Sequence, residues 1–272
     1  RYDAPLVPDP TAPEDCDVLV VESTYGDRSH PDVTVEAQLE DILRDGIPRG
    51  ATILFAAFAV GRSQQLVYLL SQVMERIGMT VPIHLDSPMA ANATKIYRRY
   101  PEESGLENVD LRSGTSPIFG SHVYLHRSAD ESRRLNQLKG PRIIVASSGM
   151  MTGGRILHHL KRCLPNENDL VVLGGYQAPG TRGRRLQDGE DTIRIHGKDI
   201  PNRAAVARLS GLSAHADADE LVRWLGDLAA PKKTFIVHGD DEAREAFGRR
   251  LSDELGHRCV APDHGTVHGL LD

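Results

Sequence analysis

The sequence predicts an α/β fold in which helices cover both faces of a parallel sheet. Short segments that are apolar along their whole length alternate with amphipathic helical segments through most of the 272 residues. Fully apolar strands separated by helices are typical of parallel sheets buried on both faces, and right-handed crossovers place the carboxyl ends of such strands along one edge. At residues 191–209 the rhythm changes to short alternating segments, which predicts a β-hairpin and marks the best candidate for a domain boundary.

Each element is predicted from the extent of its apolar pattern. The first helix, for example, begins at Thr34 and places Val35, Leu39, Ile42 and Leu43 on one face. The predicted strands cover residues 17–22, 52–58, 81–86, 121–126, 142–146, 170–174, 234–237 and 258–261. The predicted helices cover residues 34–44, 61–76, 89–100, 130–138, 155–163, 219–228 and 242–255.

Composition and charge narrow the class of protein and its partners. The net charge of −6 and the pI near 6.1 create no global attraction to nucleic acid, so an RNA or DNA partner would have to bind a local basic patch. The longest apolar run, residues 51–60, is too short to span a bilayer, and no secretion signal is visible, so no membrane partner is expected. The scattered Cys16, Cys163 and Cys259 favour neither a disulfide framework nor a thiolate zinc site and predict a reducing, cytoplasmic location.

Three ionisable residues stand at predicted strand ends and form the principal candidate site. Glu22 closes an apolar strand just before a polar loop, His238 closes another before Gly239, and His215 precedes the helix that Asp217 opens. Because α/β sheets collect ligands at the carboxyl ends of their strands, we expect these side chains to meet. An imidazole there could exchange a proton near neutral pH or bind a metal. Simpler interpretations stand beside these: His215 could cap its helix or pack under it, and His238 could be hydrogen-bonded at a strand end.

A small-residue segment at residues 145–155 is the candidate anion site. A strand runs into Ser147, Ser148 and Gly149, two further glycines follow, and a helix then carries Arg155 in its first turn. Small residues before a helix leave backbone N–H groups free to meet an anion, which the helix N-terminus also favours. Glycines at strand-to-helix turns also occur for steric reasons alone, so the segment has two interpretations.

Arginines supply the candidate basic patch. Arg182, Arg184 and Arg185 follow the glycines at the end of the 170–174 strand and form the densest basic cluster in the chain. Arg62 opens the helix at residues 61–76. These side chains could grip a phosphate backbone, or they could belong to an ordinary solvated surface.

Six short motifs, in this order and spread over nearly the whole chain, resemble the β-CASP branch of the metallo-β-lactamase superfamily, and its RNA-processing members in particular. No single motif is decisive, whereas the six in sequence are highly specific. The motifs are ESTYG at residues 22–26, AFAVGRSQ at 57–64, SSGMMTGGR at 147–155, GGYQAPGTRGR at 174–184, LSAHAD at 212–217 and VHGD at 237–240.

The resemblance implies a role for each member of the candidate site. Glu22 falls on an acidic motif beside the metal site, His215 on a histidine that pairs with this acid and protonates the leaving oxygen, and His238 on a zinc ligand. Histidine at this last position is typical of RNA-directed members. The implied activity is zinc-dependent hydrolysis of RNA phosphodiesters, endonucleolytic or exonucleolytic, with two zinc ions and an activated hydroxide. The implied substrate-binding residues are Arg62, Ser147, Ser148, Gly149, Arg155, Arg182 and Arg184.

The family draws most of its zinc ligands from an HxHxDH motif, and the twelve histidines of this sequence include no HxH pair. We therefore expect the chain to be the C-terminal portion of an enzyme, with little zinc and no ribonuclease activity by itself, whose site a missing N-terminal segment completes. Residues 1–26 and 212–272 would form a partial metallo-β-lactamase αββα sandwich with exposed apolar surface. Residues 27–211 would form an inserted Rossmann-like β-CASP domain. RNA is the expected partner, and a homodimer is a further option.

Two other functions stay open at the level of sequence. A non-catalytic RNA-binding module that acts through a partner would have lost its metal site. A mononucleotide-binding α/β domain would use the SSGMMTGGR turn and would leave LSAHAD and VHGD without a role.

Overall fold

The computed structural model describes residues 1–104 and 120–270, and the chain divides into two compact units. The first unit joins Arg1–Asp32 to Ser213–Asp272, and the second is Val33–Leu212. The unit boundaries lie six residues and one residue beyond the domain boundaries predicted after residues 26 and 211. The loop expected between the helix ending at residue 100 and the strand starting at residue 121 falls largely outside the described residues.

Strands and helices alternate along the chain. None of the described helices is long and apolar enough to cross a membrane. The strands are β1 (Val18–Glu22), β2 (Thr52–Ala56), β3 (Ile83–Asp86), β4 (Val123–His126), β5 (Arg142–Ala146), β6 (Leu170–Leu173), β7 (Thr192–Ile195), β8 (Lys198–Pro201), β9 (Ala205–Arg208), β10 (Lys233–Val237) and β11 (Cys259–Val260). The helices are α1 (Val35–Gly46), α2 (Arg62–Arg76), α3 (Pro88–Arg99), α4 (Ala129–Leu135), α5 (Ile156–Cys163), α6 (Arg182–Gln187), α7 (Ala218–Leu225) and α8 (Asp241–Leu255).

The second unit is built on a sheet in the order β4-β3-β5-β2-β6-β9. Each described pairing in it is parallel, which confirms the α/β class predicted from the fully apolar strands. Strand β2 is buried along its whole length. Its Leu54 belongs to a core cluster with Ile156 and Leu160 of α5, whereas Ile53, on the other face, contacts Gly46 of α1. Helices therefore cover both faces of this sheet.

The hairpin predicted for residues 191–209 is wrong in its second half. Only β7 and β8 form an antiparallel pair, whereas β9 joins the main sheet in parallel beside β6. The N–H groups of Arg203 and Ala204 both donate to Leu164 O, and the Ala205 N–H donates to Asp169 O. These hydrogen bonds fix the segment between the hairpin and β9, so that β9 lies at the edge of the main sheet.

The arginine cluster after residue 180 is also not an extended loop. Thr181 caps helix α6 by accepting a hydrogen bond from the Arg184 N–H at 3.2 Å. The helix covers only Arg182–Gln187, which is too short for a hydrophobic period to be visible in the sequence.

The first unit contains a three-stranded parallel sheet in the order β1-β10-β11. One face packs against α7 and α8 in a core that includes Leu19, Ile236, Leu225 and Phe247. On β1, Val20 is 62 % exposed, so this strand presents apolar surface to solvent.

A buried histidine lies beside a half-buried one in the second unit. His84 is 5 % exposed, and its Nδ1 is 3.0 Å from His126 Nε2. Burial, and after it the neighbouring His126, lowers the pKa of His84 from 6.5 to about 4. The ring is therefore neutral in the folded protein at pH values where it is protonated in the unfolded chain.

We predict that the protein loses stability as the pH falls from 6.5 to about 4, because the unfolded chain then binds a proton that folded His84 does not. The loss is about 1.4 kcal/mol for each pKa unit of difference between the two states. Urea denaturation, followed by circular dichroism at about pH 7 and about pH 5, should show a smaller pH-dependent loss for His84→Phe than for the wild type. His264→Phe, in the exposed tail, is the control. Equal pH dependence in His84→Phe and the wild type would contradict the prediction.

Candidate functional site

The ends of β1 and β10 bring two predicted site residues to one edge of the first unit's sheet. The parallel register pairs Glu22 with Val237, so His238 follows at the next position of the neighbouring strand. Ser23 Oγ donates to Val237 O at 2.9 Å, which ties the two strand ends together. His238 has a left-handed φ of 52°, and a Cβ at Gly239 would lie 2.6 Å from Ser23 O, so the turn after β10 requires glycine.

His215 reaches the same place from the segment before α7. Its Nδ1 lies 2.8 Å from Glu22 Oε2 and 3.0 Å from Oε1. Asp217 caps α7 by accepting from the Glu220 N–H, and the Glu220 carboxylate accepts from the Asp217 N–H in return. The interpretation of His215 as the helix cap is therefore wrong, and its imidazole is directed to Glu22 instead.

Thr24 completes the cluster and is absent from the sequence-based candidates. Its Oγ1 donates to Glu22 Oε2 at 2.6 Å and lies 3.0 Å from His238 Nδ1 and 3.3 Å from His215 Nδ1. A hydroxyl two residues after an acidic strand end can fold back on that carboxylate, and this spacing is the signal in the sequence that points to Thr24.

The hydrogen-bond network assigns the protons on both imidazoles. An ionised carboxylate only accepts hydrogen bonds, so His215 Nδ1 donates to Glu22. Thr24 has a single hydroxyl proton, which goes to Glu22 over the shortest distance, so His238 Nδ1 donates to Thr24 Oγ1. In the neutral rings each Nε2 then carries a lone pair that can bind a metal or accept a proton.

Burial and hydrogen bonding act in opposite directions on Glu22. Burial opposes ionisation, but hydrogen bonds from Thr24 and His215 outweigh it and lower the pKa of the carboxyl. The carboxylate is therefore charged at neutral pH and can balance a positive charge on a neighbouring imidazole. Both imidazoles are accessible, since the side chains of His215 and His238 are 40 % and 66 % exposed and their ring centroids are 5.2 Å apart.

Two groups of side chains in the first unit bring donor atoms within 4.8 Å of one another, as a metal ion would require. In the group of His30, Asp217 and Glu220, the two carboxylates already cap α7, and Asp217 also accepts from the His30 N–H. In the group of Glu22, His215 and His238, neither Nε2 has a hydrogen-bond partner among the described residues. The second group is therefore the better candidate for a metal.

Several polar groups of the small-residue segment in the second unit are hydrogen-bonded within the fold. Ser148 Oγ accepts from the N–H groups of Thr152 and Gly153, and Gly149 O accepts from Gln177 Nε2. The expectation of free backbone N–H groups is therefore wrong for Thr152 and Gly153. Ser147 Oγ is buried without a hydrogen-bond partner among the described residues.

Arg62 and Arg155 hold together parts of the second unit. Arg62 Nη1 donates to Gly174 O at 2.5 Å. Arg155 pairs at 2.7 Å with Asp86, a fully buried carboxylate that His159 also contacts at 2.7 Å. Burial opposes ionisation of Asp86, but hydrogen bonds from His159 and the other donors outweigh it and lower the pKa of the carboxyl. Substrate binding by the two arginines stays a prediction.

The two predicted arginines on α6 differ in their contacts, since Arg182 donates to three backbone carbonyls and Arg184 pairs with one surface carboxylate. Arg182 Nε donates to Arg194 O at 2.7 Å, and Arg184 Nε lies 2.9 Å from both carboxylate oxygens of Asp188. The Arg184 side chain is 42 % exposed, and an exposed ion pair contributes only about 0–1 kcal/mol. Another anion could therefore replace Asp188 at little cost, and substrate binding here also stays a prediction.

Two family models match this chain, and named relatives resemble most of its length. Residues 63–186 match the family model of the Beta-Casp domain, and residues 199–262 match that of the Zn-dependent metallo-hydrolase RNA specificity domain. Ribonuclease TTHA0252 of Thermus thermophilus is 35% identical over 249 residues, which are 91% of this chain and 57% of that protein. An RNase J-like protein of Methanocaldococcus jannaschii is 32% identical over 266 residues, 96% of this chain and 61% of that protein.

A third relative carries a different name. Transcription termination factor FttA of Methanocaldococcus jannaschii is 32% identical over 238 residues, which are 83% of this chain and 37% of that protein. The chain thus spans about three fifths of the length of the first two relatives, 57% and 61%, and less of this one.

The assigned protons can be tested by NMR. We predict that neutral His215 and His238 both carry the proton on Nδ1, because Glu22 and Thr24 accept from these atoms. Long-range ¹H–¹⁵N spectra of the imidazoles, recorded above the pH at which the rings titrate, distinguish the two tautomers. Thr24→Val should move the proton of His238 to Nε2 and leave His215 unchanged, whereas Thr24→Ser should preserve both. Protonated Nε2 atoms in both wild-type rings would refute the assignment.

Proposed function

The chain belongs to the β-CASP family of the metallo-β-lactamase superfamily, and we propose that the complete gene product containing it is a zinc-dependent RNA phosphodiester hydrolase. The observation that carries the proposal is the cluster of Glu22, His215 and His238, in which each imidazole holds its proton on Nδ1 and keeps Nε2 for chemistry. RNA is supported as the substrate by the RNA specificity model, whose matched residues 199–262 include both histidines.

Zinc fits the donor chemistry of His238. Thr24 Oγ1 holds the Nδ1–H of this ring, and metal-binding histidines usually have their second nitrogen held in this way. Zinc bound here would supply an activated hydroxide and stabilise negative charge on the phosphate. A zinc site takes about three or four protein ligands. We place the remaining ligands in the part of the relatives' length that this chain does not span.

His215 is the proton donor in this proposal. Its Nδ1–H is fixed by Glu22, so the ring can present a protonated Nε2 to the leaving oxygen of the scissile phosphodiester. The charged Glu22 carboxylate stabilises the imidazolium and holds its orientation, as an acid paired with a histidine does in other hydrolases. Thr24 positions both rings without contacting the substrate.

The two units have separate tasks in the proposed enzyme. The first unit, which contains the cluster, corresponds to the partial metallo-β-lactamase domain, and the second, which contains the matched residues 63–186, corresponds to the β-CASP domain. Among the candidate substrate-binding residues, Arg184 is the best placed to bind phosphate, because its present partner Asp188 is on the surface. The homodimer stays a prediction.

We predict that Glu22→Gln and His215→Ala in the complete gene product each lower the rate of RNA cleavage by about 10²–10⁴-fold, the usual contribution of a positioned acid or base. A gel assay with an end-labelled RNA oligonucleotide measures the rate, and thermal unfolding shows whether each variant is folded. His264→Ala, in the exposed tail, is the control and should keep the wild-type rate. Wild-type rates in both site variants would reject the assigned roles.

The 272 residues by themselves are expected to bind little zinc and to cleave no RNA, because the cluster supplies too few zinc ligands. Metal analysis and the same gel assay test this directly. Retained RNA binding without cleavage in the complete gene product would instead favour a non-catalytic RNA-binding module.

A further inference from the structure

The second unit contains a polar cavity at the amino ends of its strands, and its lining includes none of the candidate site residues. Its volume is about 520 Å³, within the range of small-molecule sites. Thr52 and Arg142, the first residues of β2 and β5, line it together with Asp169, which precedes β6. In open α/β sheets ligands normally bind at the carboxyl ends, so a built pocket at this edge needs its own explanation.

The cavity has an excess of positive charge. Lys139, Arg142 and Arg162 line it from a loop, a strand and a helix, and none of them forms an ion pair with a described carboxylate. Asp169 is the one carboxylate among the lining residues, and its Oδ1 already accepts the Thr52 N–H at 2.8 Å. The cavity therefore offers three cations against a single negative charge.

Two further titratable groups line the cavity without changing this balance. His159 lies with its Nε2 2.7 Å from Asp86 Oδ2 and is already paired with that carboxylate. Burial raises the pKa of the Cys163 thiol, which keeps it neutral.

Arg142 has a side-chain donor whose hydrogen-bonding capacity is unused among the described residues. Its Nε is buried and has no hydrogen-bond partner among the described residues, whereas its Nη1 donates to Gly140 O at 2.9 Å. A buried N–H without a partner is unfavourable, because it has lost its hydrogen bonds to water. An anionic oxygen in the cavity would remove this cost and would take part in a charge-assisted hydrogen bond.

We propose that this cavity binds a phosphate monoester of mononucleotide size. A phosphate dianion matches the excess charge, and its tetrahedral oxygens can accept from several cations at once, here carried on three different elements. The volume exceeds what phosphate alone would fill, and Leu138 in the lining, which is 45 % exposed, provides apolar surface for the organic part. The proposal does not depend on the proposed hydrolase activity, because its residues all belong to the second unit.

Calorimetric titration of the complete gene product with adenosine 5′-monophosphate tests the proposal. We expect saturable binding that is at least tenfold weaker in Arg142→Gln and in Arg162→Gln. Arg162 is exposed, so its variant should fold even if Arg142→Gln does not. Arg133→Gln is the matched control, since it removes one exposed charge from the same unit without lining the cavity, and it should bind as the wild type does.

Adenosine and inorganic phosphate separate the two parts of the ligand. Adenosine should not bind measurably, and inorganic phosphate should bind more weakly than the nucleotide while showing the same dependence on Arg162. Equal binding of adenosine and the nucleotide, binding of inorganic phosphate alone, or full nucleotide affinity in Arg162→Gln would each overturn the proposal. Loss of nucleotide binding in Glu22→Gln would overturn it as well, by locating that binding in the first unit.

Discussion

The parallel pairing of β1 with β10 is the constraint on which the candidate site depends. It places Glu22 beside Val237, so that a carboxylate and an imidazole leave adjacent strands at the same level. A slip of one residue would turn Glu22 to the other face of the sheet, because side chains alternate along a strand. Ser23 stabilises this register by bonding Val237 O, and Gly239 allows the chain to turn closely over Ser23.

Two hydrogen bonds from Nδ1 atoms determine what the histidines can do. Thr24 donates its hydroxyl proton to Glu22, so its oxygen accepts from His238 Nδ1, whereas Glu22 itself accepts from His215 Nδ1. Each ring is thereby held in the tautomer whose Nε2 is available. The same tautomer suits a metal ligand and a proton donor. The two roles differ only in what Nε2 meets, a metal ion or the leaving oxygen of the substrate.

Asp86 and Glu22 each contact a histidine, and comparing them shows how a functional site differs from a structural one. Asp86 is fully buried and accepts from His159, Ser132 and Arg155, so its lone pairs are used within the fold. Glu22 also accepts from a histidine, but its neighbouring imidazoles are open to solvent. The Asp86 arrangement stabilises the second unit. The Glu22 arrangement leaves the Nε2 atoms of its neighbouring imidazoles available for a reaction.

Much of this organisation could be predicted from the sequence, because it depends on patterns that a sequence displays. The strand predicted at 142–146 coincides with β5, and Glu22, His215 and His238 meet as the strand-end argument expects. Thr24 was missed because its importance lies in contacts with residues that are distant in the chain. Helix α6 and strand β9 were missed because each is too short to show a period. The partners of Arg62 and Arg155 could not be foreseen, because a basic residue in a sequence carries no record of the carbonyls or carboxylates that it will meet.

In the proposed enzyme, one hydrogen-bond network gives two neighbouring histidines different tasks, His238 as zinc ligand and His215 as proton donor. Diffraction from crystals of the zinc-loaded complete gene product, with anomalous data at the zinc edge, tests this most directly. We expect zinc within bonding distance of His238 Nε2, with His215 Nδ1 still hydrogen-bonded to Glu22 and His215 Nε2 not bound to the metal. Zinc bound by Glu22, or by His215 in place of His238, would contradict it.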